Sequence, residues 1–401
     1  MIKKIRTYSL FIIIAMVWLF NGCIDPFEAN FVDFESALVI EATITDQLKP
    51  QQVVLTRTYE FEEDGPSAEP NANVSVSDSA GNTFNFQDTG NGVYVSTQIF
   101  AAQSGMAYQL SVTTQDGRSY GSSTTQVTPA ATIDDIRAER ITNDNGEDGM
   151  AIFLDSFDPS GNAKNYRYEY EETYRIIAPE WSPISLIGDP AGGCGLLKTP
   201  NITDEEVCYR TDLSNAIILT STEDLEEDRV SNFMVRFINR NNYIISHRYS
   251  ILVRQFVQSN EAYTFFETLN ELSGSESLFS QTQPGFLQGN VFSNENRDER
   301  VLGFFDVSSV SETRVFFNYD DFYPGESLPP YIEPCRPSAP PIFKPGGGGC
   351  VLRPIIESGA GIYWGDNEPP GDNEGPFFIV PRICGDCKVL GSPEVPDFWI
   401  E

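Results

Sequence analysis

A single histidine, His247, occurs in 401 residues, and that scarcity removes much of the catalytic repertoire. Histidine-rich zinc centres are excluded, and a Ser–His–Asp hydrolase would have to rely on this one imidazole. His247 sits in a strand-like run at 244–249 with no acid partner nearby in sequence, and no Gly-x-Ser-x-Gly elbow occurs. Walker and dinucleotide glycine fingerprints are also missing. Positive charge is scarce, with 26 Lys and Arg against 58 Asp and Glu. This argues against nucleic acid, because phosphate binding relies on basic patches that release counterions. It argues equally against lying flat on anionic lipid. A surface hydrolase built on two carboxylates would find its pair trivially among 58 acids, so their abundance says nothing. The expectation is a protein that is not an enzyme.

Long apolar runs are absent beyond residue 20, which makes the beginning of the chain informative. Lys3, Lys4 and Arg6 open it, an unbroken apolar run occupies 10–20, and Asn21, Gly22 and Cys23 follow. A basic opening, a short apolar stretch and a small residue before cysteine have the form of a bacterial lipoprotein signal. Eleven apolar residues are too few to span a bilayer, which takes about 20. Residues 1–22 are therefore read as a cleaved signal peptide and Cys23 as the lipid attachment site. Removing the three cations with the leader moves the formal net charge from −32 to −35. The acidic excess is spread along the chain, clustering at 60–64 and 223–228, and its plain reading is solubility at a crowded surface. Residues 23–34 form a polar tether.

Hydrophobic residues at 40% and aromatics at 12% are enough to supply real cores, and helical periodicity is rare. The fold class expected is mainly β, in two domains. Leu38, Ile40, Ala42 and Ile44 alternate with Val39, Glu41 and Thr43, the period of a half-buried strand. Further short strands follow at spacings of roughly ten residues, separated by turn signals such as Asp116-Gly117, and together predict an N-terminal immunoglobulin-like β-sandwich over 35–130. A second β-rich domain occupies 131–401. Its strand candidates include the alternating Tyr166, Tyr168 and Tyr170 and the apolar row Phe233, Val235 and Phe237. A long insertion is read at 176–228. One clear helix is placed at 259–273, capped by Ser259, with Ala262, Phe265, Phe266, Leu269 and Leu272 as a core-facing stripe.

After Asn318 the composition changes: 15 of the 26 prolines fall in 319–401, together with glycines 346–349. This stretch is not expected to form a regular sheet. Its aromatics and four cysteines nevertheless predict an ordered, disulfide-stapled wrap, since disordered segments are poor in aromatics. Without Cys23 six cysteines remain, an even number that outside the cytoplasm favours three disulfides. Cys194 and Cys208 share one segment and are the expected local pair. Cys335, Cys350, Cys384 and Cys387 leave three pairings open. The Cys384-Gly-Asp-Cys387 spacing also admits a redox motif, which would require a βαβ setting, or a four-cysteine zinc site, which an oxidising compartment disfavours. No cofactor is expected. Structural calcium stays open at Asn143–Gly149, although the ligand order of a calcium loop is not met there. Trp181 in the insertion and Trp364 in the wrap are the candidate ligand or partner contacts.

Several segments together resemble a family of Bacteroidota surface lipoproteins, domain of unknown function 4249. They are 166–172, 248–256 running into 259–263, 288–290, 301–305, Cys384-Gly-Asp-Cys387, and the closing Pro396-Asp-Phe-Trp399. The resemblance covers nearly the whole mature chain through the order and spacing of these modest motifs. It implies an outer-membrane lipoprotein, lipid-anchored and exposed at the cell surface, encoded beside TonB-dependent receptors and serving such a β-barrel as accessory or lid. It carries no catalytic residue over. The alternatives are a stand-alone surface module for glycan or protein binding or adhesion, and a structural subunit of an envelope assembly or secretion machine.

Overall fold

The computed structural model describes residues 36–59, 65–274 and 287–401. The leader, the tether, Cys23 and the acidic cluster at 60–64 lie outside the described residues. The fold is mainly β.

The expected alternation builds the first strand: along Leu38–Thr45 the side chains of Leu38, Ile40, Ala42 and Ile44 are buried and Glu41 is exposed. It pairs antiparallel with Gln52–Arg57. The ladder continues through Val93–Ser96, Thr83–Asp88, Asn73–Asp78, Ala107–Thr113 and Ser119–Ser122. Its two limbs close over one core, where Ile40, Val53, Val74, Leu110 and Tyr120 belong to a single buried cluster.

Both rims of this sheet come from far along the chain. Val291–Ser293 pairs with Ser119–Ser122, and Val301–Ser308 runs parallel to Leu38–Thr45. The first sandwich therefore extends beyond 35–130. A parallel neighbour needs a long crossover, and most of the second sandwich lies within it. Gly303 allows the close approach: at φ +104°, a Cβ there would stand 1.9 Å from the Ile40 carbonyl oxygen.

The second sandwich is more regular than its sequence suggests. Thr132–Thr142, Asp148–Phe157 and Arg229–Asn239 form one sheet. The facing sheet centres on Asn165–Ile177, with Arg248–Gln258 and then Val310–Asn318 to one side, and Val207–Leu213 and Ile218–Ser221 to the other. Counting the last two as one interrupted strand, sheet membership is A-B-E against C′-C-F-G, an immunoglobulin-type arrangement. Tyr166, Tyr168, Tyr170 and Tyr174 point inward against Met150, Ile152 and Leu154, as the alternation requires. The row Phe233, Val235, Phe237 is broken by a bulge, because the ladder steps from Ile152–Arg236 to Phe153–Met234. Val235 and Ile238 consequently reach the core, while Phe237 packs over Gly149.

The insertion is shorter than 176–228. Val207–Leu213 and Ile218–Ser221 return to pair with Asn165–Ile177, so only 178–206 leaves the sandwich. These strands escape a period-two reading because they are short and carry Arg, Asp and Thr.

The helix spans Asn260–Gly274, and Ser259 Oγ accepts from the Ala262 N–H at 3.1 Å. Ala262 and Phe265 are buried against Phe304, but Leu269 is 36% exposed, so the apolar stripe is only partly core. The linker after the first sandwich is pinned in place. Thr128 Oγ1 donates to the Val257 carbonyl at 2.8 Å and accepts from the Ser309 N–H at 2.9 Å.

Candidate docking surface: a disulfide-stapled module

The segment 178–206 folds as a hairpin of Ile184–Gly188 with Leu196–Pro200. Residues 319–401 contribute short helices and, against expectation, a two-stranded sheet of Gly361–Asp366 with Phe377–Pro381. Prolines crowd the connections there and leave these two runs nearly free of them.

Three disulfides weld these parts together, and none is the expected Cys194–Cys208 pair. Cys194 bonds Cys350, Cys208 bonds Cys387 and Cys335 bonds Cys384, with Cα–Cα distances of 5.2, 5.5 and 5.6 Å. The physical reason is orientation. Cys208 belongs to a strand of the second sandwich and turns into its core, whereas Cys194 lies on the turn of the outlying hairpin. The two cysteines of Cys384-Gly-Asp-Cys387 take separate distant partners, which overturns both the redox and the zinc readings of that motif.

Polar contacts complete the weld. Arg353 donates to the Asp189 and Gly193 carbonyls at 3.2 and 2.7 Å, and Lys198 pairs with Asp366 at 2.5 Å. The Glu180 N–H donates to the Cys384 carbonyl at 2.9 Å.

The two candidate tryptophans fall in this module on either side of Glu180 but play different parts. Trp181 is partly buried and packs against the second core. Trp364 is 42% exposed, sits at a bulge between Tyr363 and Gly365, and donates its indole N–H to the Glu180 carboxylate. Its ring meets Phe378 edge-on at 5.8 Å. Bulges commonly re-aim a side chain, and here the result is a fixed, outward aromatic face. Ile187, Leu197, Ile202 and Phe343 are also exposed on the module. Ile187 and Leu197 are register partners on the hairpin, so at least these two form one exposed apolar pair on the braced unit.

The other sequence candidates are quieter. His247 is partly buried, and burial together with the nearby Arg175 charge lowers its pKa, which favours the neutral form. Asn143–Gly149 forms a hairpin turn in which Asn143 Oδ1 accepts from the Asn145 and Glu147 N–H groups at 3.0 and 2.9 Å. Among the described residues no group of three or more His, Cys, Asp or Glu is placed to hold a metal ion. Also among them, no helix is long and apolar enough to cross a membrane. Sequence reasoning missed three arginines, Arg175, Arg248 and Arg314, which different strands bring to the outer face of the five-stranded sheet. Their only sequence signal was their place on the charged side of alternating strands.

Two linked sandwiches capped by a stapled module define a disulfide-braced β-sandwich protein. The chain belongs to the family described as Domain of unknown function (DUF4249), whose model matches residues 24–314. No curated protein matches it. Among solved structures it is similar to a DUF4785 family protein from Legionella pneumophila, at 9% identity and a TM-score of 0.17. That similarity covers 54% of this chain and 51% of the other, so about half of that protein's length is spanned.

Proposed function

We propose that this protein is a non-enzymatic outer-membrane lipoprotein that docks on a TonB-dependent β-barrel and helps to capture or present its ligand. The observation that carries the reading is the exposure of Ile187, Leu197, Ile202, Phe343 and Trp364 on a module braced by disulfides. The leader pattern ahead of Cys23 supports it from the other end of the chain. An acyl anchor would confine the protein to the membrane plane and raise its effective concentration for a barrel partner. The net charge of −32 suits a body held by lipid rather than by electrostatic adhesion to anionic head groups. Co-purification from detergent-solubilised membranes tests the proposal. A barrel partner should elute with the native protein and be lost when Phe343 and Trp364 are both changed to Ala. A protein that elutes alone under gentle extraction argues against it.

Trp364 favours a second reading, a stand-alone module that stacks a sugar ring or protein side chain on that outward indole. Normal barrel-dependent uptake after deletion of the gene, combined with glycan or protein binding lost in Trp364→Ala, would select it.

A further inference from the structure

Residues 396–401 lie across the outer face of the five-stranded sheet. Three arginines on three different strands hold them. Arg314 stacks over the Phe398 ring at 3.6 Å, Arg248 Nε donates to the Ile400 carbonyl at 2.5 Å, and Arg175 pairs with the Glu401 carboxylate. Trp399 is nearly buried between Tyr209 and Phe316, with ring centroids at 5.0 and 5.8 Å. Small side chains occupy the ladder row between those two walls: Thr173 lies opposite Thr211 and Ser250 opposite Phe316, and both Thr173 and Ser250 are fully buried. The result is a trough with a flat floor, two aromatic walls and a cationic rim. Arg314 is shared with Glu171 at 2.8 Å, so the positive charge facing the carboxylate of the segment is that of Arg175 and Arg248.

The segment in the trough is held at points rather than welded. Its ion pair is exposed on the glutamate side, Phe398 is 37% exposed, and no disulfide falls within 388–401. A hollow of about 390 Å³ is left open where Tyr209 and Thr211 face residues 392–397. Exposed ion pairs and cation–π contacts hold weakly, so most of the hold comes from the Trp399 anchor.

We propose that this trough is a peptide-recognition surface and that 396–401 occupies it as a built-in stand-in. The external ligand is an extended segment of a partner protein, with adjacent aromatic side chains followed within two residues by a carboxylate. Charge complementarity and the shape of the present occupant define that ligand.

The test uses the chain with Phe398→Ala and Trp399→Ala, which takes both aromatic anchors out of the seat and leaves only the Ile400 and Glu401 contacts of the segment. The probe is a labelled synthetic peptide copying residues 396–401, followed by fluorescence anisotropy. Saturable binding to the emptied chain is expected. Binding to the native chain should be weaker by about tenfold or more, because a tethered copy competes at an effective concentration of order mM. Adding Arg314→Ala to the emptied chain should weaken binding several-fold, and a peptide with alanine at the position of Trp399 should not bind at all. An emptied chain that keeps its native circular dichroism yet binds no peptide overturns the proposal, and so does equal binding to the native chain. Should the double variant fail to fold, a protease site placed in 391–395 is cut after folding. Exchange of the cut segment for labelled peptide then supports the proposal. Its permanent retention, or unfolding on its release, overturns it.

Discussion

Asp306 carries a carboxyl group with no exposed surface at the junction of the two sandwiches. Gln258 Nε2 and Ser308 Oγ both donate to its Oδ2, at 2.9 and 2.5 Å. Its Oδ1 and the Gln258 Oε1 are buried acceptors without a donor. Burial raises its pKa above the ordinary 3.8, against the opposing Ser308 bond, the Arg167 charge and the Gln258 bond. The protonated form is therefore the one the fold favours. The stability it lends is complete below pH 3.8 and is lost as pH climbs through the raised folded value. Asp306→Asn supplies a neutral amide whose N–H can serve the orphaned Gln258 oxygen. We expect that variant to melt higher than the parent at pH 8, by about 2–4 °C for each kcal/mol of strain removed, with the gap closing toward pH 4. Equal melting temperatures at both pH values would count against this account of the junction.

Between elements, the second sandwich is crossed by a polar tie as well as by its tyrosines. Glu172, on the central strand Asn165–Ile177, accepts from Arg236 of the facing sheet at 3.0 and 3.2 Å and from the Tyr249 hydroxyl at 2.6 Å. The glutamate side chain is 8% exposed and the arginine 27%. Cutting one end of such a tie leaves buried donors unanswered, which is costlier than the pair is valuable. Glu172→Ala should therefore cost about 3 kcal/mol in urea unfolding, the low end of the buried-pair range because Arg236 keeps some contact with water. Glu172→Gln, which keeps an acceptor, should lose less. A loss below about 1 kcal/mol for the alanine variant would show that solvent replaces the tie.

For the whole molecule, the disulfides decide what moves with what. Cys194–Cys350 and Cys208–Cys387 span 156 and 179 residues and join the outlying hairpin and the second sandwich to the last part of the chain. In the chain-entropy treatment a crosslink over loops of this size contributes about 4–5 kcal/mol, and less where the loops overlap. The first core contains no cysteine, and the second includes only Cys208 and Cys387 at its edge. Full reduction should therefore free the module while leaving both sandwiches folded. Limited proteolysis of the reduced protein should cut first within 178–206 and 335–395, with the far-ultraviolet spectrum largely retained. Simultaneous loss of all secondary structure would mean that the module holds the sandwiches together.

Local pattern alone settled the mainly β class, the inward tyrosines of 166–170 and the Ser259-capped helix, because each depends on near neighbours with a period of two or 3.6 residues. Partner choice was decided only in three dimensions. Val301–Ser308 gives no local sign that it will lie beside Leu38, and Val207–Leu213 none that it will return to the central strand. Cysteine pairing followed the same logic: a disulfide needs Cα atoms about 5–6 Å apart, and which pair achieves that depends on sheet faces meeting. Cys194 and Cys208 are neighbours along the chain but belong to different surfaces. The arginine-rimmed trough arose in the same way, from three strands far apart in sequence whose charged sides the ladder register places side by side.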